Sequence, residues 1–275
     1  MNPALAALFA TLPPLPPGHV WLAGAGPGDP GLLTLHALAA LGQADAVVHD
    51  ALVDKRILLL ARPDAELIFA GKRGGRPSVD QADIAATLVG LARAGKRVLR
   101  LKGGDPYVFG RGGEEALALA EAGVPFRAIP GVTAGIGGLA AALIPVTQRS
   151  VNQAVVFATG HGAGDGHVAG AVDWPALARL GLPIVIYMAI THVAAITRML
   201  LDAGMPAALP AAIVASATTP TQRVLVSTLA DLAADLARAK LATPAIVVIG
   251  QIVAMRGKLL ELLPNLEKDA PWHVG

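Results

Sequence analysis

The glycines of Gly26-Pro-Gly-Asp-Pro-Gly31 could bind a ligand, because they lie between a predicted strand and a predicted helix. Their spacing satisfies the G-x-G-x-x-G pattern of dinucleotide-binding loops. Asp50 follows Gly31 by 19 residues, where such folds place the carboxylate that binds a ribose hydroxyl. Pro27 and Pro30, however, remove two backbone N–H donors that a pyrophosphate would use. An NAD(P)-dependent oxidoreductase using Gly26, Gly28, Gly31 and Asp50 therefore remains an alternative, as does a tight turn without a ligand.

A second glycine-rich loop strengthens the case for a ligand. Lys102-Gly-Gly-Asp-Pro106 ends another predicted strand, and Gly110-Arg-Gly-Gly-Glu-Glu115 follows it. Glycines allow backbone amides and carbonyls to approach a ligand closely. Arg111 and the two glutamates could equally be a solvated helix start, where glutamate complements the helix dipole. Two such loops at one sheet edge indicate a binding site.

Strands alternate with helices along the chain, which predicts an α/β fold with its site at the carboxyl ends of parallel strands. In the first half, the predicted strands are 19–23, 46–50, 66–71, 97–101 and 126–130, and the helices are 32–41, 55–61, 81–94 and 114–122. In the second half, the predicted strands are 154–158, 184–188, 211–215 and 245–249, and the helices are 174–180, 192–203 and 229–239.

The strand and helix pattern restarts after Pro145, which predicts two α/β domains, residues 19–147 and residues 148–258. A Leu-Pro-Pro-Leu-Pro-Pro stretch indicates that residues 1–18 are a flexible, polyproline-like leader. Residues 259–275 are expected to form a peripheral tail. The first domain contains both glycine-rich loops.

The composition excludes several classes of protein. The formal net charge is +2, which gives no reason to expect a nucleic-acid partner. Although 54% of the residues are hydrophobic, proline and glycine interrupt the longest uncharged run, residues 128–148, so no membrane span is expected. The absence of cysteine excludes disulfides, thiolate metal sites and cysteine nucleophiles. The start of the chain is a poor signal peptide, and a cytoplasmic protein without a metal is expected.

Several motifs together resemble the tetrapyrrole methylase family, from about Val20 to Val253. The matching segments are Leu22–Pro30, Ala44–Asp50, Gly71–Gly74, Arg97–Pro106, Phe109–Glu115, Ile129–Thr133, Thr159–His161, Tyr187-Met188 and Thr218–Arg223. The resemblance implies two α/β domains with the active site in the cleft between them, and a homodimer. It also implies S-adenosylmethionine as methyl donor, S-adenosylhomocysteine as product, and transfer of two methyl groups to uroporphyrinogen III. The product would be precorrin-2, an intermediate of sirohaem and cobalamin biosynthesis.

The family's cofactor contacts match positions that are mostly small or apolar. They are Pro27, Gly103, Gly104, Asp105, Val108, Thr133, Ala134, Met188 and Ala217. The resemblance further assigns Asp50 as proton acceptor and Lys72 as proton donor. From residue types alone, Asp50 is a ribose ligand, Lys72 belongs to a solvated basic pair and Met188 is a core residue.

Basic residues near strand ends are predicted to recognise the carboxylate-rich substrate. They are Arg73, Arg76, Lys102, Arg111 and Arg149. The sequence departs from the family at four positions, which cluster near the predicted hinge between the domains and bear on substrate fit and rate more than on the reaction class. His49 replaces a frequent Tyr, and Ala141, Leu143 and Gln148 stand where relatives usually have Tyr, Gly and His. A sibling methylase of a later corrinoid intermediate and a paralogue that only senses S-adenosylmethionine are the remaining alternatives.

Overall fold

The computed structural model describes residues 2–71, 81–161 and 172–263. The chain divides into two compact units, Met1–Thr133 and Ala134–Gly275. The division falls earlier than the predicted boundary after residue 147, because the helix at Ala134–Ala141 contacts strands of the second unit.

The first unit is an α/β unit with one five-stranded sheet. Its helices are α1 (Pro3–Thr11), α2 (Leu35–Leu41), α3 (Lys55–Leu58), α4 (Gln81–Arg93) and α5 (Gly112–Glu121). Its strands are β1 (Val20–Gly24), β2 (Ala46–His49), β3 (Glu66–Phe69), β4 (Val98–Lys102) and β5 (Phe126–Ile129). The strand order is β3-β2-β4-β1-β5, and every pair is parallel. The predicted parallel α/β arrangement is confirmed for this half.

Both faces of the first sheet are covered, which explains why its central strands are almost continuously apolar. On one face, Leu99 and Leu101 of β4 pack with residues of α2 and α3. On the other face, Val98 of β4 packs with Leu88 of α4 and Leu119 of α5. Polar side chains at the carboxyl edge of this sheet therefore need a specific explanation.

The second unit contains a mixed sheet. Its helices are α6 (Ala134–Ala141), α7 (Trp174–Leu180), α8 (Val193–Asp202), α9 (Leu232–Ala239) and α10 (Ala254–Leu262). Its strands are β6 (Val156–Thr159), β7 (Ile184–Tyr187), β8 (Pro210–Ala215), β9 (Arg223–Thr228) and β10 (Ala245–Ile249). The order is β6-β7-β10-β8-β9, and only β6 and β7 are parallel. The expectation of parallel strands was wrong here, and β9 was not predicted. The connection between β8 and β9 is too short for a crossover, so these strands pair antiparallel.

The ends of the chain also differ from the sequence-based expectation. The predicted polyproline-like leader contains the helix α1, and Leu15 is buried in the core of the first unit. Asn2 caps α1 by accepting a hydrogen bond from the Ala4 N–H, and Pro3 suits the first helical position. α10 extends to Leu262 and so includes the start of the predicted tail. Most of that tail lies outside the described residues. Within the described ranges, no helix has the length and apolar character needed to cross a membrane.

Candidate functional site

The strands of the first sheet are parallel, so their carboxyl ends lie along one edge. Pro27 follows β1, Asp50 follows β2, and the Gly103–Asp105 loop follows β4. Thr133 lies after β5 and is buried. The sheet therefore places these sequence-predicted site residues at its carboxyl edge, as expected for a parallel sheet. Lys72, Arg73 and Arg76 lie outside the described residues.

Three glycines form a backbone junction at this edge. A Cβ atom on Gly24 or Gly131 would lie inside van der Waals distance of the Gly104 carbonyl oxygen. Gly26 and Gly104 also pair through two backbone hydrogen bonds, with N···O distances of 3.1 Å and 2.8 Å. The loops after β1, β4 and β5 are consequently packed main chain against main chain.

Two aspartates join the loops through backbone hydrogen bonds. Asp105 Oδ2 accepts from the Gly131 N–H at 3.0 Å, and its Oδ1 accepts from the Tyr107 N–H at 2.8 Å. Asp50 Oδ1 accepts from the Leu52 N–H at 2.9 Å, and its Oδ2 accepts from the Gly103 N–H at 3.2 Å. Each carboxylate oxygen has a second lone pair, so these bonds leave acceptor capacity for a ligand or a proton.

The segment between β4 and α5 has an unusual backbone. Phe109 and Arg111 both adopt positive φ, 51° and 58°, in the left-handed region that side chains disfavour. Arg111 is exposed and forms a bidentate pair with Glu114, at 2.9 Å and 2.6 Å. This hydrogen-bonded pair lowers the pKa of Glu114. Positive φ at two neighbouring non-glycine residues is typical of functional segments.

Lys102 and Glu115 are not solvent-exposed, contrary to the sequence-based interpretations. Lys102 is 3% exposed and Glu115 is 0% exposed. Glu115 Oε1 accepts from Lys102 Nζ at 3.1 Å and from Arg100 Nε at 3.0 Å. Burial, followed by the Arg100 charge, lowers the pKa of Lys102, although Glu115 opposes this. Lys102 is therefore paired with Glu115 in the interior and is withdrawn from the predicted substrate-binding set.

In the second unit, the remaining predicted cofactor residues surround one contact between α6 and β7. The Gly135 N–H donates to the Tyr187 hydroxyl oxygen at 2.8 Å. Ala134 precedes Gly135, and Met188 follows Tyr187 directly, so this bond joins the segments that carry two predicted contacts. A Cβ on Gly138, in the same helix, would lie 2.8 Å from the Ala217 side chain.

Strained backbone also marks this edge of the second sheet, where β7 and β8 end and β9 and β10 begin. Met188 has φ 53° and is 51% exposed, so the prediction from residue type that Met188 is a core residue is wrong. Ser216 and Thr218, on either side of Ala217, have φ 47° and 61°. The positive φ values of Met188, Ser216 and Thr218 thus cost conformational energy that the surrounding structure must offset.

The four departures from the family pattern have different surroundings. The His49 ring lies edge-on to Phe69, with ring centroids 5.6 Å apart. Leu143 has φ 58°, a backbone conformation that glycine would adopt without strain. The Ala141 carbonyl accepts from Gln222 Nε2 at 3.3 Å, and the Gln148 N–H donates to Asn152 Oδ1 at 2.9 Å. Arg149, in the same stretch, is exposed.

The comparison with protein families agrees with this geometry. The family of Tetrapyrrole (Corrin/Porphyrin) Methylases matches residues 19–233, a range that includes every site residue named so far in this subsection that the structure describes. The chain belongs to the tetrapyrrole methylase family. This methylase is 60% identical over 252 residues to a uroporphyrinogen-III C-methyltransferase of Sinorhizobium sp, and the match covers 92% of this chain and 90% of that protein.

Two further comparisons bear on the extent and fold of this methylase. It is 50% identical over 240 residues to the siroheme synthase of Gluconacetobacter diazotrophicus, covering 87% of this chain and only 50% of that protein. The methylase thus spans about half the length of such relatives. A crystal structure of the uroporphyrin-III C-methyl transferase from Thermus thermophilus, complexed with S-adenyl homocysteine, matches with TM-score 0.71 and 37% identity. That match covers 86% of this chain and 99% of the other.

Sequence reasoning missed the role of three residues at this site. Glu115 was placed at a solvated helix start, and neither Arg100 nor Tyr187 was proposed for any function. A signal was present for Arg100, because a charged residue inside an otherwise apolar central strand must be paired when buried. The hydrogen bond from the Gly135 N–H to the Tyr187 hydroxyl had no comparable signal in the sequence, because the two residues are far apart along the chain.

We expect Gly131→Ala to destabilise the methylase by about 1–3 kcal/mol, since the added methyl would overpack the glycine junction. S-adenosylhomocysteine binding should weaken as well. Gly90→Ala is the matched control: nothing lies within 4 Å of that site on α4, so alanine should raise stability by about 0.5–1 kcal/mol. Denaturant unfolding and calorimetry measure both effects. Equal stability of the two variants would contradict the junction.

Tyr187→Phe should cost about 1–3 kcal/mol, because it removes the acceptor of a buried Gly135 N–H. The chain offers a matched control in its other tyrosine, Tyr107, which is 53% exposed. Tyr107→Phe should stay within about 0.5 kcal/mol of the parent, as surface substitutions usually do. Thermal unfolding of both variants tests the difference, and an undisturbed Tyr187→Phe protein would show that the bond contributes little.

Proposed function

We propose that this protein is an S-adenosylmethionine-dependent uroporphyrinogen-III C-methyltransferase that adds two methyl groups to give precorrin-2. The observation that carries the proposal is the 60% identity to a uroporphyrinogen-III C-methyltransferase over 92% of this chain. The backbone-lined loops at the carboxyl edge of the first sheet support it. We further propose a cytoplasmic homodimer acting in sirohaem or cobalamin biosynthesis.

The residues of the first unit suit the adenosyl donor better than a dinucleotide. Pro27 removes a donor that a pyrophosphate would need, whereas the Gly103–Asp105 loop offers glycine main chain and one carboxylate. Val108 adds an apolar side chain near the same edge. In this unit we assign cofactor contacts to Pro27, Gly103, Gly104, Asp105, Val108 and Thr133.

The second unit contributes small and apolar groups of the same kind. Ala134 lies at the start of α6, Ala217 follows β8, and Met188 follows β7 with an exposed side chain. Thioether and methyl groups pack around apolar ligand surface without demanding hydrogen bonds. We therefore retain Ala134, Met188 and Ala217 as cofactor contacts.

The proposed reaction does not require the protein to supply a nucleophile. S-adenosylmethionine, when bound, supplies a methyl group that its sulfonium already activates, and the reduced pyrrole ring is an electron-rich carbon nucleophile. The chain's residues have to hold the two in line, an orientation effect that reaches about 7–11 kcal/mol in ideal systems. The fixed loops of the first unit are suited to this task.

Methylation leaves a cationic pyrrole ring that must lose a proton, and we assign its removal to the Asp50 carboxylate. Asp50 lies at the carboxyl end of β2, half-buried, with lone pairs beyond those that bind Leu52 and Gly103. We keep Lys72 as proton donor, on the family resemblance. Arg111 and Arg149 are exposed guanidinium groups suited to substrate carboxylates, and we retain Arg73 and Arg76 in that set.

The decisive experiment is incubation with uroporphyrinogen III and methyl-labelled S-adenosylmethionine, followed by mass analysis of the tetrapyrrole. We expect a gain of two labelled methyl groups. In parallel, calorimetry should detect binding of S-adenosylhomocysteine and none of NAD. NAD binding without a response to S-adenosylhomocysteine would overturn the cofactor assignment, and methylation of later corrinoids alone would indicate a sibling methylase.

Asp50→Asn should lower single-turnover methylation at saturating cofactor by about 10²–10⁴, the usual contribution of a general base. One backbone bond is lost too, because an amide nitrogen cannot accept from Gly103 or Leu52. S-adenosylhomocysteine binding should weaken by less than the about 1.5–3 kcal/mol that the loss of a charge-assisted hydrogen bond to a ribose would cost. Asp105→Asn is the contrasting variant, in which affinity should fall more than turnover. Normal turnover of Asp50→Asn at saturating cofactor would reject the catalytic role and favour a ribose ligand.

Arg111→Gln should raise KM for uroporphyrinogen III and flatten the fall of kcat/KM with salt between about 20 and 300 mM, because screening weakens long-range attraction. Arg111→Lys keeps the charge and should behave more like the parent. Arg198 is a matched control on α8: it is exposed and pairs with Asp202 as Arg111 pairs with Glu114. Arg198→Gln should leave the salt dependence unchanged. Identical salt profiles for Arg111→Gln and Arg198→Gln would refute the recognition role.

A further inference from the structure

Three charged residues form a buried cluster beneath the loops of the first unit. Arg100, Lys102 and Glu115 are 2%, 3% and 0% exposed. Glu115 Oε1 accepts a hydrogen bond from Arg100 Nε at 3.0 Å and another from Lys102 Nζ at 3.1 Å. We call these residues the Glu115 cluster. It places two cations against one carboxylate in the interior.

The Glu115 cluster lies on the face of the sheet that packs against α4 and α5. Side chains alternate along a strand, so Val98, Arg100 and Lys102 of β4 point to the same face. Val98 packs there against the apolar side chains of α4 and α5, which form a complete hydrophobic core. Burying charge in such a place is costly, and apolar residues of similar volume often stabilise a protein as well or better. Stability alone therefore does not account for the cluster.

The contacts of the cluster show what it holds. Arg100 Nη1 donates to the carbonyl oxygens of Val48 and Leu101, both at 3.3 Å. Val48 lies two residues before Asp50, so this bond fixes the end of β2 relative to β4. Lys102 directly precedes the Gly103–Asp105 loop, and Glu115 lies in the first turn of α5.

Three segments that carry proposed site residues are thus linked to one carboxylate, two of them directly and the third through Arg100 and the end of β2. They are the loop of Asp50, the Gly103–Asp105 loop, and the segment of Val108 and Arg111 that leads into α5. The two loops are also bonded to each other through the Gly103 N–H and Asp50 Oδ2. A shift of the cluster would move the proposed proton acceptor and the cofactor loop together.

We propose that Arg100, Lys102 and Glu115 are positioning residues of the methyl-transfer site, which set the Asp50 and Gly103–Asp105 loops in the geometry that binds the cofactor and reacts. This inference rests on the proposed function of the same site. None of the three residues touches substrate. Their effect passes through the backbone of the loops, where a displacement of about 1 Å can cost 10²-fold in rate.

The first test replaces the whole cluster with apolar residues, Arg100→Met/Lys102→Met/Glu115→Leu. We expect a folded protein whose thermal midpoint is close to that of the parent, because the three buried charges are removed together and apolar residues take their place. Its Kd for S-adenosylhomocysteine and its KM for S-adenosylmethionine should rise by about tenfold or more, and single-turnover methylation should fall by about 10–100-fold. Parent-like binding and turnover would overturn the proposal.

Glu115→Asp keeps the charge and withdraws the carboxylate by one methylene, so it tests the proposal even if the triple variant does not fold. It too should raise KM for S-adenosylmethionine. Val98→Ala is the matched control, because it creates a cavity on the same strand and the same face of the sheet without changing the charge. It should lower the thermal midpoint and leave KM and Kd per folded site unchanged. A Glu115→Asp protein that behaves like Val98→Ala would show that the cluster is merely structural.

The parent protein separates this inference from the proposed function. If the parent neither binds S-adenosylhomocysteine nor methylates uroporphyrinogen III, the proposed function fails. If the parent does both and the cluster variants match it per folded site, only the positioning role fails.

Discussion

The close approach of three main-chain segments at the end of the first sheet is the constraint on which the rest of the site depends. Gly24, Gly104 and Gly131 pack without side chains between them, so the main chains at the ends of β1, β4 and β5 are in direct contact. Asp105 then bridges two of these loops, and Asp50 bridges from the neighbouring strand. A ligand at this edge would be held mainly by backbone groups, which need glycine for access and carboxylates for order.

The second unit reaches a comparable order by a different route. There a tyrosine hydroxyl joins a glycine-rich helix to a strand end, and residues with positive φ flank the predicted contacts. Met188 combines a positive φ with an exposed side chain. Both units thus fix short loops by hydrogen bonds from side chain to main chain, and both accept local strain where the proposed ligand contacts lie.

The sequence predicted the first sheet and its loops because each strand is a short apolar run that ends at glycine or aspartate. It failed at β9, whose residues are exposed or half-buried and form no long continuous apolar run. The helical α6 was hidden by its glycines, which are poor helix formers and are tolerated here by tight packing against Tyr187 and Ala217. Lys102 and Glu115 have the residue types of a surface pair, and only the long-range fold shows that they are enclosed. Pairings of this kind depend on tertiary contacts that local pattern does not encode.

The Glu115 cluster has a consequence for the behaviour of the protein on heating. Hydration of charged groups carries a strongly negative entropy, so the penalty for keeping Arg100, Lys102 and Glu115 away from water falls as temperature rises. Apolar side chains in the same place would gain no such advantage, since hydrophobic stabilisation per unit area levels off. The buried charges of this protein are therefore least unfavourable at high temperature. The difference in free energy of unfolding between the charged cluster and an apolar replacement accordingly changes with temperature.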